Sequence, residues 1–249
     1  MDPYRILVSE VMLQQTQVPR VIDTYTKFLR VFPSFRALAR ATPASVLKVW
    51  QGLGYNRRAL MLLRCAKAVV GEYKGELPED YDALQSLPGI GPYTAGAVMA
   101  FAFDCAVPVI ETNIRRIYIH HFFPRRRSVP DSVILPLVTR HVMSVKSPRE
   151  WYSALMDYGS WLATQTPNPN VRSKHYARQS AFEGSLRQLR GQVVRVLVSH
   201  PRMVVPAIAT ATEKPSSEIK KLMVTLEREG FVTRCCHAWC VHNPHWSLR

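Results

Sequence analysis

Residues 87–94 read Leu-Pro-Gly-Ile-Gly-Pro-Tyr-Thr and lie between two short helix-forming stretches, 81–86 and 95–103. Gly89 and Gly91 accept a positive φ at little steric cost, and Pro92 suits the first turn of a helix because its missing N–H would have no partner there. The product is a tight hairpin whose backbone N–H groups and positive helix end converge, which is how a phosphate is held without a charged side chain. Alone, such a Gly-Pro turn is more often a plain connector between helices. Glu10 is the second chemical candidate. It sits in a stretch, 8–13, that is apolar apart from Ser9 and itself, surroundings in which desolvation keeps a carboxyl protonated near neutral pH. Glu111 follows the apolar run Val107-Pro108-Val109-Ile110, and Asn113 has the side chain of a helix cap.

Charge gives these groups a context. Thirty-three Lys and Arg against eighteen Asp and Glu leave a formal net charge of +15, a balance suited to a polyanionic partner, with nucleic acid favoured. The cations cluster as Arg57-Arg58, Arg115-Arg116, Arg125-Arg126-Arg127 and along residues 172–190. Single runs of this kind are usually solvated faces, and basic amphipathic helices also rest on anionic membranes. Here they alternate with apolar-patterned sequence, which favours a shaped groove.

The 249 residues, 47% of them hydrophobic, can bury one large core or two smaller ones. No run of about 18 apolar residues and no secretion signal is present, so a protein that neither spans a membrane nor is exported is expected, located with DNA in the cytoplasm or nucleoid. Five cysteines, Cys65, Cys105, Cys235, Cys236 and Cys240, are an odd set without the spacing of a disulfide framework and fit a reducing compartment.

Helical periodicity runs through residues 4–14, 18–32, 34–40, 43–53, 57–73, 81–86, 93–103, 113–122, 131–143 and 148–164, joined mostly by short Gly/Pro turns. Strand-like alternation is nearly absent, so residues 1–183, including a basic linker over 165–183, are expected to form an all-α domain. Residues 184–249 follow another pattern: helices over 186–199, 204–212 and 216–229, the last capped by Ser216 and stopped by Gly230, then a hairpin over 231–242. This is the order of a winged-helix-like domain. Such modules bind DNA through the third helix or bind protein, and the mildly basic 216–229 leaves both open.

The segments Ser9-Glu10-Val11-Met12-Leu13-Gln14-Gln15-Thr16-Gln17, Gly52-Leu53-Gly54-Tyr55, Leu87 to Thr94 and Glu111-Thr112-Asn113 together resemble the MutY-type adenine DNA glycosylases of the helix-hairpin-helix superfamily. The resemblance covers roughly residues 1–164, and several separated motifs are more specific than one. It implies a helix-hairpin-helix fold, double-stranded DNA carrying a lesion or mismatch as partner, a monomer, and removal of a flipped-out base.

Breaking an N-glycosidic bond requires a better leaving group and a stabilised sugar cation, tasks commonly divided between a protonated and a charged carboxyl. By the resemblance, Glu10 protonates the departing base and Glu111, aspartate in relatives, faces the cation; Asn113 completes the catalytic set. Tyr93 stands where bifunctional relatives carry a Schiff-base lysine, which a phenol cannot replace, so hydrolysis without strand cleavage is expected. Gln14, Gln15 and Tyr55 match residues that wedge into the duplex and touch the opposite base, with Thr16, Leu53, Gly89, Gly91, Thr94, Arg57, Arg58 and Arg115 also expected to bind DNA.

Three departures bear on substrate. Ala163 replaces the first cysteine of the family's iron–sulfur loop and residues 165–184 contain none, so no cluster and no other cofactor is expected. Arg172 and Lys174, in the basic run ending at Arg178, take over that loop's DNA contacts. Ser153 stands where relatives have a glutamate near adenine, and the 8-oxoguanine-reading C-terminal module is replaced. Adenine opposite 8-oxoguanine or guanine leads; thymine or uracil opposite guanine, or hypoxanthine, stays open, as does an inactive DNA-binding repair or regulatory factor. The crowd of Cys235, Cys236, Cys240, His237, His242 and His245 lacks a spaced Cys-x-x-Cys pair, so no metal is expected there.

Overall fold

Proline, serine, threonine and aspartate punctuate this chain at the places where helices begin. In the computed structural model, which describes residues 1–177 and 181–241, α1 spans Pro3–Leu13 and α2 spans Val18–Val31. Ser34 caps α3 (Phe35–Ala39), and Thr42 with Ser45 forms a reciprocal capping box on α4 (Pro43–Trp50). After α5 (Arg57–Glu72), Asp80 caps α6 (Tyr81–Ser86) by accepting from the Ala83 amide at 2.7 Å. α7 (Pro92–Phe103) starts on its proline and ends at Asp104 in the left-handed region, φ +61°. α8 (Thr112–Phe122), α9 (Asp131–Val142) and α10 (Pro148–Gln165) complete the larger helical part. A 3-10 turn, Pro169–Arg172, interrupts the basic linker. Then come α11 (Leu186–Ser199), α12 (Val205–Thr212), α13 (Ser216–Arg228) and the antiparallel hairpin of β1 (Val232–Cys235) and β2 (Ala238–Val241), with Val232 opposite Val241. The fold is all-helical apart from this one small sheet among the described residues. Arg178, His242 and His245 lie outside them.

The chain divides into two compact units, each drawn from two stretches of sequence: Met1–Glu10 with Leu77–Gln179, and Val11–Glu76 with Ser180–Arg249. In the first, α7 is buried on nearly every side, which suits its run of alanine, glycine and valine. It packs with α8 and α10 around Ile114, Tyr118, Val138 and Tyr152. In the second, α2 to α5 close over Phe28, Leu38, Leu47 and Trp50, the Phe28 and Trp50 rings meeting edge to face at 5.9 Å. The C-terminal helices carry their own small core of Leu189, Val193, Ile208, Leu222 and Leu226, and α11 packs against α4 within that unit.

Three local expectations are corrected. Helix α13 is entered from Pro215 with no side-chain cap, since a proline just before the first turn sets the entry by itself and the Ser216 hydroxyl is already inside the helix. Gly91 sits at φ −95°, so only Gly89, at φ +81°, uses the left-handed region in the hairpin. The cap of α8 is Glu111 and not Asn113: its carboxylate reaches the N–H of Ile114, the third helical residue, while Asn113 lies inside the first turn.

Candidate active site

The site is built on the N-terminal ends of α7 and α8 and on α1. Glu10, on α1, is 9% exposed, and Tyr93, on the first turn of α7, donates its hydroxyl to Glu10 Oε2 at 2.9 Å. Burial pushes the Glu10 carboxyl up to about 7; the Tyr93 hydrogen bond works against that shift and the neighbouring Glu111 carboxylate adds to it. Glu10 is therefore a carboxyl that holds its proton near neutral pH. Burial, then the Glu10 charge, moves the Tyr93 phenol far above its usual range, so it acts only as a neutral donor.

Glu111 is treated differently by its surroundings. Its Oε1 accepts from the Ile114 amide at 2.7 Å as the cap of α8, where the helix end favours a negative charge. Burial raises its pKa, while the amides of Ile114 and Asn113 and the charges of Arg116 and Arg115 pull it back. Burial raises both carboxyls, and of the two only Glu111 faces backbone amides and arginine charges that favour its ionised form, the asymmetry that glycosidic chemistry needs.

Two groups place Glu111. Tyr152, fully buried on α10, accepts from the Val109 amide and donates to the Val107 carbonyl, both at 2.8 Å, so one hydroxyl fixes the extended run into α8. Arg116 donates through Nη1 to Asn113 Oδ1 and to the Gly159 carbonyl at 2.6 Å, tying the first turn of α8 to α10. Sequence reasoning missed Tyr152, Arg116 and Gly159. Their contacts span 43 to 45 residues in sequence, and no local pattern marks them.

The remaining candidates divide by what they touch. Gly89 provides the turn the hairpin needs, Thr94 is buried, and a Cβ at Gly91 would meet nothing within 4 Å, so the fold leaves open space there. Arg57 and Lys174 are exposed. Arg115 pairs bidentately with Asp131, at 2.8 and 2.7 Å. Arg172 donates to the carbonyls of Ile119, Phe123, Pro124 and Arg126, closing the C-terminal end of α8, while Asn170 donates to the Thr112 carbonyl at 3.0 Å. Ser153 lies exposed on α10 and donates to its own helix.

In the other unit, Arg58 is turned inward. Its guanidinium donates to the carbonyls of Val11, Met12, Gln14 and Gly54 and to Thr16 Oγ1, and lies 5.5 Å from the centroids of both Trp50 and Tyr55. It binds the turn at Gln14, Gln15 and Thr16 to the turn ending at Tyr55. Leu53 is buried; Gln15 and Tyr55 are exposed, both with positive φ.

Residues 163–174 offer Ala163, threonines, Arg172 and Lys174 and no thiol, a donor set that does not fit an iron–sulfur cluster. Among the described residues, no group of three or more His, Cys, Asp or Glu could hold a metal ion, and no helix is long and apolar enough to cross a membrane.

Residues 8–135, which include Glu10, the hairpin and the start of α8, match the model of the HhH-GPD superfamily of base excision DNA repair proteins. The chain belongs to that superfamily. It is 37% identical over 216 residues to the adenine DNA glycosylase of Mycolicibacterium smegmatis, covering 78% of this chain and 71% of the relative. The adenine DNA glycosylase of Mus musculus is 36% identical over 201 residues, covering 76% of this chain and 38% of the relative. A thermostable thymine-DNA glycosylase is similar in structure with a TM-score of 0.57 and 26% identity, over 64% of this chain and 74% of that one. A non-covalent endonuclease III–DNA complex shares the fold with a TM-score of 0.54 at 19% identity, over 76% and 82%. Membership in the superfamily, with these relatives, makes the chain a base-excision DNA glycosylase.

Proposed function

We propose that the protein hydrolytically removes adenine opposite 8-oxoguanine or guanine in duplex DNA and leaves the abasic strand uncut. The observation that carries this reading is the buried Glu10, hydrogen-bonded by Tyr93 and held as an acid near neutral pH, with a second carboxyl, Glu111, capping α8 by accepting from the Ile114 amide. In this mechanism the flipped base takes the Glu10 proton as the bond from its nitrogen to C1′ breaks, so it leaves neutral. The ionised Glu111 stabilises the cation left on the sugar. Water adds to C1′, and its proton passes to a carboxylate of the pair. Tyr93 has no amine with which to form a Schiff base, so no strand cleavage follows. Arg116 and Asn113 act as positioning groups for Glu111, and the hairpin at Gly89 and Gly91 seats a backbone phosphate at the start of α7. The protein works as a monomer on DNA inside the cell, with residues 1–183 as the glycosylase domain and 184–249 appended to it.

Thymine or uracil opposite guanine is the second reading, supported by the likeness to a thymine-DNA glycosylase and by Ser153, where MutY-type enzymes carry a glutamate near adenine. A panel of labelled duplexes, each with one mismatch or lesion and treated with hot alkali after incubation, decides between them. Cleavage confined to adenine-containing strands supports the first reading; cleavage of thymine or uracil strands alone replaces it, and none on any duplex points to the DNA-binding factor without catalysis.

A further inference from the structure

The appended C-terminal helices reach a specific aromatic side chain. Within the unit formed by Val11–Glu76 and Ser180–Arg249, Arg187 in the first turn of α11 donates through Nη1 to the Tyr55 hydroxyl at 2.7 Å, its guanidinium carbon 5.9 Å from the ring centroid. Tyr55 is 36% exposed and stands at φ +46°, at the end of a turn in which Gly52 and Gly54 also take positive φ. Such a conformation costs a tyrosine about 1 kcal/mol and persists only where the surroundings enforce it. Arg58 enforces it from below, through the Gly54 carbonyl and the ring face. The same arginine holds the Gln14 to Thr16 turn, which presents Gln15 to solvent, also at positive φ. An exposed amide, a phenol and a guanidinium thus belong to one body, two of them on strained backbone.

An aromatic face can stack on a base that has lost its partner, and a guanidinium has donors only. Among major-groove edges, guanine offers two acceptors, O6 and N7, at the spacing of the guanidinium fork, and keeps O6 when oxidation at C8 turns N7 into a donor, whereas cytosine offers a donor, adenine one of each and thymine a single acceptor. We propose that Arg187 makes the C-terminal module part of the lesion-reading surface: with Tyr55 it recognises the base left unpaired opposite the excised one, a guanine or a C8-oxidised guanine, by donating to its O6 edge. The module then contributes a recognition side chain at the start of its first helix, and α13 need not enter a groove. This rests on the reading of the chain as a DNA glycosylase.

The test is binding of the full chain to duplexes carrying a tetrahydrofuran abasic analogue opposite guanine, 8-oxoguanine, cytosine, thymine or a second tetrahydrofuran. Because the excised base is absent, the result does not depend on which base the enzyme removes. Wild-type protein is expected to bind the two guanine duplexes about tenfold more tightly than the others. Arg187→Ala removes most of that preference, Arg187→Lys restores charge but not the preference, and Tyr55→Phe, lacking only the acceptor hydroxyl, weakens it in part. Arg195→Ala, an exposed arginine on the same helix, leaves it intact. Thermal melting confirms that each variant is folded. A wild-type protein indifferent to the opposite base overturns the proposal. So does an Arg187→Ala protein weakened equally on every duplex with a salt slope shallower by about 0.9, which is a phosphate contact. Retained preference in Arg187→Ala also overturns it and assigns the module to another task. Failure of base release in the alkali panel, with opposite-base preference present, would instead count against the catalytic reading alone.

Discussion

Gly159 and Asn113 touch backbone to backbone: a Cβ built on Gly159 would lie 2.6 Å from Asn113 Cβ and 2.7 Å from its carbonyl oxygen. Helix α10 thus approaches the first turn of α8 with no room for a side chain at Gly159, and Glu111 caps that turn. Gly159→Ala has no flexible side chain to displace, so the helices must separate. The expected result is a loss of about 2 kcal/mol in stability and at least about tenfold in single-turnover base release, the second larger than the first predicts at temperatures where the variant stays folded. Unchanged chemistry in a folded variant would detach Asn113 from catalysis.

Glu10→Gln separates stability from activity. The Glu10 pKa is raised, to about 7, so the native protein holds a proton there that the unfolded chain gives up near the ordinary carboxyl value of 4.5. The carboxyl's contribution is fully present below the unfolded pKa and is lost as pH rises through the folded one. At pH 8 a neutral amide therefore stabilises the fold by up to about 3 kcal/mol, with little change at pH 4. Base release disappears at every pH, because an amide is no acid. Denaturant melts at the two pH values check the first half; a variant no more stable at pH 8 than wild type would contradict the buried-acid assignment.

Tyr93→Phe deletes a hydrogen bond that lowers the Glu10 pKa. The alkaline limb of kcat/KM against pH, where the acid loses its proton, is expected near pH 7 in the wild type and about half a unit higher in the variant. A limb that stays in place would mean that another group sets it.

Borohydride trapping examines the reaction type. With a phenol at position 93, no covalent protein–DNA adduct is expected in appreciable yield, and strand breaks should appear only after alkali. Efficient trapping would identify an amine nucleophile elsewhere in the chain.

Arg172→Ala distinguishes scaffold from DNA contact. Four carbonyls around the end of α8 lose their donor, a loss of about 2 kcal/mol in thermal or denaturant stability. The slope of log affinity against log salt should stay within error of wild type, whereas a phosphate contact would subtract about 0.9 from it.

Helix extents were legible in the sequence because proline, capping residues and 3.6-residue periodicity act locally: residues 81–86 and 186–199 coincide with α6 and α11, and most other helices differ by one or two residues at an end. Glu10 was legible for the same reason, since the apolar residues beside it in sequence are part of what buries it. The destinations of the arginines were not. Arg57 and Arg58 are adjacent and chemically identical, yet one is solvated and the other ties its own turn at Gly54 to one more than forty residues away. Asparagine favours caps, so the sequence points to Asn113 at the start of α8; Glu111, two residues earlier, reaches the same helix end with a longer chain. Such choices are settled by tertiary distance, which spacing along the chain does not encode.

Tyr152 has a use beyond holding the approach to α8. The Val109 amide hydrogen is bonded to that phenol and to no neighbouring strand, so it exchanges with solvent only when the aromatic ring withdraws. Its deuterium uptake is an intrinsic clock for breathing of the segment that delivers Glu111. Read amide by amide with and without bound DNA, it would reveal whether substrate finds this region already rigid or makes it so.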